Sequence, residues 1–139
     1  MIRQHDTLRD PHRGTPVWFT LSAWMLPVGL FLQFLLAGGA LFQDAGLWGL
    51  HGTVGGLLAV PVLAMLAGAL WVRHLRGFGW WAGVILVLYG VQLALAADAQ
   101  PLPLAFHPFN ASLLLAASLV QLAKVERRRA QNHHFNGDQ

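Results

Sequence analysis

Four long stretches of this chain contain no Asp, Glu, Lys or Arg: residues 14–43, 45–72, 77–97 and 99–123. Each supplies the roughly 20 apolar residues that a helix needs to cross a bilayer. The pattern predicts spans at 17–42, 47–72, 78–97 and 104–125. Polar tails of 1–16 and 126–139 flank them, the last ten residues reading as frayed. The fold class that follows is all-α, an integral membrane four-helix bundle of up-down topology. Pro27 and Pro61 fall inside spans, where neighbouring helices can satisfy the freed backbone groups. Pro103 suits the first turn of the fourth span.

Composition and charge sharpen this picture. Of 139 residues, 55% are hydrophobic and 11% charged, against about 25% charged in soluble domains. No length remains for a soluble catalytic domain. The sequence pI near 10.7 does not point to nucleic acid, because the cations sit at span ends. Arg3, Arg9 and Arg13 precede the first span, Arg73 and Arg76 separate the second and third, and Lys124, Arg127, Arg128 and Arg129 follow the fourth. Four crossings bring all of them to one side, while the opposite loops carry only Asp44 and Asp98. The positive-inside rule then predicts that both termini and the loop of Arg73 and Arg76 are cytoplasmic. Ala37 to Ala40 resembles a signal-peptide cleavage site, but a signal core spans only about 7–15 residues. The first span is longer and reads as a retained anchor.

Ionisable groups inside spans mark functional sites, and two histidines meet that description. His51 lies about four residues into the second span, roughly 6 Å below its start at 1.5 Å per residue. His107 lies at similar depth in the fourth. Both spans run inward from the same face, and in an up-down bundle they are diagonal neighbours, roughly 11–14 Å apart for adjacent axes of 8–10 Å. That separation suits a flat iron macrocycle gripped by two imidazoles. Absence of cysteine excludes c-type attachment, so a haem would be held non-covalently.

A parallel internal repeat supports the pairing. Gln33 and Gln92 lie deep in the first and third spans, Asp44 and Asp98 occupy the following loops, and His51 and His107 come next. Gly38, Gly52 and Gly55 would leave room beside a macrocycle, although Gly52 and Gly56 also fit close helix packing. Gln33, Thr53, Gln92 and Asn110 are candidates to orient the imidazoles. The two glutamines equally suit a bond to each other across the bundle. His5, His12, His74, His133 and His134 fall in polar segments and read as solvated, with His12 and His74 a weaker candidate pair for a second haem. Met25 and Met65 read as core filler.

Gln33-Phe34-Leu35-Leu36-Ala37-Gly38, His51 with Gly52 and Gly55, and His107-Pro108-Phe109-Asn110-Ala111 resemble a family of small bacterial four-helix membrane proteins of unassigned function. The likeness covers about 17–125. The layout also resembles the four-helix membrane b-type cytochromes, which implies haem b and electron exchange with a quinol or a periplasmic redox protein. Those cytochromes usually carry two bis-histidine haems, whereas this chain offers one convincing pair. Two other readings stand beside it. One is a non-redox accessory subunit or assembly factor of a larger membrane complex, or a homo-oligomer. The other is a divalent-metal or proton-coupled transporter, disfavoured because the spans lack charge.

Overall fold

The computed structural model describes residues 14–97 and 100–137, with side chains described through residue 132. The tail residues Arg3, His5, Arg9, His12 and Arg13, the loop residue Asp98, and the side chains of His133 and His134 lie outside the described residues. Helix α1 runs Val17–Phe42, α2 Leu47–Leu57, α3 Ala59–Trp71, α4 Gly79–Ala97 and α5 Pro101–Gly137, with a 3₁₀ turn at Arg73–Phe78 between α3 and α4. Four segments, with α2 and α3 counted as one, are long and apolar enough to cross a membrane. The chain is an all-helical, multi-pass membrane protein.

Two features depart from the hydropathy pattern, each for a local reason. The second span is broken at Leu58, between α2 and α3. Pro61 lacks the N–H that would bond the Leu57 carbonyl, which weakens the helix one turn before it. The fourth span continues as helix to Gly137, well past the predicted end at 125. The first six residues of that extension, Glu126 to Gln131, are all good helix formers. It is also anchored: Glu126 accepts from Trp24 Nε1 of α1 at 2.9 Å and pairs with Arg129 at 3.0 Å. Val125 and Arg128 are fully buried. Arg128 Nη1 donates to the His74 carbonyl at 2.6 Å, with its guanidinium 5.8 Å from the Phe78 ring centre.

In the bundle, α1 packs on α2, α3 and α5, while α4 packs on α3 and α5. The α1 and α4 pair is therefore one diagonal, and the α2/α3 and α5 pair the other. The close-packed core occupies the half nearer Arg73, built around Phe19, Leu26, Met65, Phe78, Ile85, Leu114 and Val125. Helices touch there through two glycines. A Cβ on Gly29 would strike the Leu58 side chain, and one on Gly68 would lie 2.6 Å from Trp18 Cη2. Met65 is part of this core, whereas Met25 faces outward at 55% exposure.

The half nearer Asp44 is looser. Helix α2 contains no buried residue and packs chiefly on α1. A short turn aims it there, in which the Asp44 carboxylate accepts from the Gly46 N–H at 2.8 Å. Before the break at Leu58 the span packs little on α4 and α5, whereas α3 after it belongs to the core.

Candidate functional site: a cleft between two imidazoles

Between α1, α2, α4 and α5 lies an apolar cleft of about 170 Å³. His51 and His107 face each other across it, ring centroids 6.2 Å apart and planes inclined at 52°. Trp48, one turn before His51, presents its indole edge-on to the His51 ring at 5.4 Å.

One imidazole has a fixed tautomer. His51 Nδ1 lies 3.2 Å from the backbone carbonyl of Gln33. A carbonyl only accepts, so Nδ1 carries the hydrogen and Nε2 keeps its lone pair. His107 occupies the corresponding place of the second repeat, after Gln92. There no hydrogen bond closes, and His107 Nδ1 is buried without a partner. Only the first of the two repeat histidines is therefore tied to the deep glutamine that precedes it.

Of the positions singled out in the sequence, His51, His107, Gln33, Gln92, Gly52 and Gly55 all line the cleft. Asn110 stands beside it, buried, its Nδ2 donating to the Leu88 carbonyl at 2.9 Å and to Gln92 Oε1 at 2.7 Å. The glutamine side chains neither orient the imidazoles nor bond each other: Gln92 is held by Asn110, and Gln33 Nε2 is buried and unpartnered. Thr53 and Gly38 are not brought to the site. Thr53 is exposed and its hydroxyl donates within its own helix to Gly49; Gly38 does not line the cleft. A Cβ at Gly52, Gly56 or Gly38 would meet nothing within 4 Å, so Gly52 and Gly56 do not serve close helix packing within the bundle. Gly52 opens onto the cleft instead.

Tyr89 was not legible as a site residue. It is the single tyrosine of the chain, nearly buried, and lines the cleft floor with Leu58 and Leu114. Its hydroxyl donates toward the carbonyls of Gly55 and Gly56, next to the break that leaves helix carbonyls short of donors. A lone phenol in an apolar span, needing an acceptor when buried, was the available signal.

A membrane bundle with an interior cleft faced by two histidines is the class that fold and site define. Over residues 33–99 the chain matches the family DUF6220, described as a family of unknown function. That match takes in Gln33, His51, Tyr89 and Gln92 and ends before His107. Neither the curated proteins nor the solved structures contain a match.

Proposed function

We propose that the cleft holds one haem b non-covalently, with His51 and His107 as axial ligands. The protein then carries electrons in the bacterial inner membrane, exchanging them with a quinol or with a periplasmic redox protein. The observation that carries this reading is the 6.2 Å between imidazole centroids. Two metal–imidazole bonds of about 2 Å each, plus half a ring on either side, come to roughly 6 Å.

Three further features support it. His51 Nε2 has a free lone pair because Gln33 holds the other nitrogen, the arrangement usual for metal-bound imidazole. Gly52 leaves open space where a side chain would block the cleft. Among the described residues no group of three or more His, Cys, Asp or Glu forms a metal cage, so two imidazoles suit a metal that arrives with its equatorial ligands already in place.

When bound, haem b supplies a one-electron iron couple. His51 and His107 would both be taken up in holding it, and apolar side chains surround the site. Electron transfer therefore fits better than oxidation of a substrate at iron.

The test is optical. The chain purified in mild detergent should show a Soret band that sharpens and shifts on reduction with dithionite. A colourless protein recovered in normal yield from haem-replete cells refutes the proposal.

A further inference from the structure

The turn that joins α3 to α4 carries Arg73-His74-Leu75-Arg76-Gly77-Phe78 in 3₁₀ geometry. Residues three apart eclipse one another in such a turn, so its positions fall into columns. Leu75 and Phe78 form the inward column and are fully buried. Arg73 and Arg76 form another, and both are exposed. At a rise of about 2.0 Å per residue, their backbone positions lie roughly 6 Å apart along the axis. The inner side of the turn is pinned. The Phe78 ring centre lies 5.2 Å from that of Phe19, and the His74 carbonyl accepts from Arg128 at 2.6 Å. The two guanidiniums are therefore presented from a fixed frame.

No carboxylate among the described residues neutralises them. Asp44 lies at the opposite end of the bundle, and Glu126 is taken by Trp24 and Arg129. Nor does the stability of the turn explain both placements. A cation in the last turn of a helix complements its dipole, which suits Arg76, but Arg73 opens the turn, where a cation is unfavourable.

The flanks fix the depth of the pair. Trp71 ends α3 and Trp80 lies at the start of α4, with exposures of 81% and 59%. Both belong to segments apolar enough to cross a membrane, and exposed indoles at span ends sit at the headgroup level. The arginines between them stand at the depth of lipid phosphates. Guanidinium matches a phosphodiester through paired N–H···O bonds. A zwitterionic lipid brings its own cation to compete for that phosphate, whereas an acidic lipid does not.

We propose that Arg73 and Arg76 form a binding site for the phosphate of an acidic phospholipid, at the end of the bundle opposite the imidazole cleft. The site stands whether or not the cleft holds haem.

The experiment uses the full chain in mild detergent, with equimolar phosphatidylglycerol and phosphatidylcholine of matched acyl chains, read by native mass spectrometry. Bound phosphatidylglycerol should exceed bound phosphatidylcholine by about fivefold or more, the effect of one arginine near a lipid surface. Arg73→Gln with Arg76→Gln should abolish most of that preference; both side chains are exposed, so the fold is kept. Lys124→Gln with Arg127→Gln removes the same charge from α5 and should leave the preference as in the parent. An excess of glycerol phosphate, which has the phosphate without acyl chains, should not displace the lipid. No preference in the parent, or parental preference in the Arg73 and Arg76 double variant, overturns the proposal. Equal losses in the two double variants also overturn it, because binding would then follow overall charge. Displacement by glycerol phosphate does the same, since it would mark a site for soluble phosphates.

Discussion

The Tyr89 hydroxyl donates to the carbonyl of Gly55, 2.9 Å away and thirty-four positions earlier in the chain. That bond joins α4 to the last turn of α2, immediately before the break at Leu58, and it latches the wall of the cleft that has no buried side chain of its own. Tyr89→Phe should cost about 1 kcal/mol. Because α2 has no buried side chain and otherwise rests chiefly on α1, the loss should show as faster amide hydrogen exchange in α2 than in α3. Uniform or unchanged exchange would mean that the phenol is not what holds α2 in place.

Replacing either imidazole tests the ligand assignment. His51→Ala and His107→Ala should each convert a six-coordinate low-spin spectrum to a high-spin one, and added imidazole should restore it. His74→Ala should leave the spectrum alone, since His74 contributes its backbone carbonyl to Arg128 at the far end of the bundle. A low-spin spectrum persisting in both single variants would place the iron elsewhere.

Two glycines should respond in opposite directions. Alanine at Gly52 meets no atom within 4 Å, so Gly52→Ala should stabilise α2 by about 0.5–1 kcal/mol through helix propensity alone. Gly68→Ala would push a methyl to 2.6 Å from Trp18 and 2.9 Å from Phe19, and should cost about 1–3 kcal/mol. Denaturant unfolding in mixed micelles reads both. Equal destabilisation would show that Gly52 also serves close packing, for instance against another chain.

Gln121 is fully buried, and neither oxygen nor nitrogen of its amide has a partner. An apolar replacement of similar size removes that desolvation penalty, so Gln121→Leu should raise stability by about 1–3 kcal/mol in the same assay. Destabilisation would reveal a partner for the amide, such as an internal water, that the chain itself does not supply.

Much of the site could be read along the chain because its parts repeat. Glutamine, outer loop and histidine recur in the same order, and parallel halves of an up-down bundle must bring equivalent positions to equivalent depth. Counting residues therefore paired His51 with His107. What counting could not assign was rotation about each helix axis. Depth made Thr53 as good a candidate as Gly52, yet one faces outward and the other lines the cleft. Nor could spacing show that the imidazole partner at Gln33 is the backbone carbonyl rather than the side chain, since only the approach of two helices decides which atom arrives.

By itself the sequence determined the spans, the common side of the termini and the depth of the histidines. These follow from hydropathy and chain length, which add up residue by residue against a bilayer of fixed thickness. Tertiary structure decided that the second span breaks at Leu58, that Gly29 and Gly68 carry the helix contacts, and that Tyr89 reaches the Gly55 carbonyl. Those outcomes depend on groups far apart in sequence competing for the same space, and that competition is settled only when the helices pack.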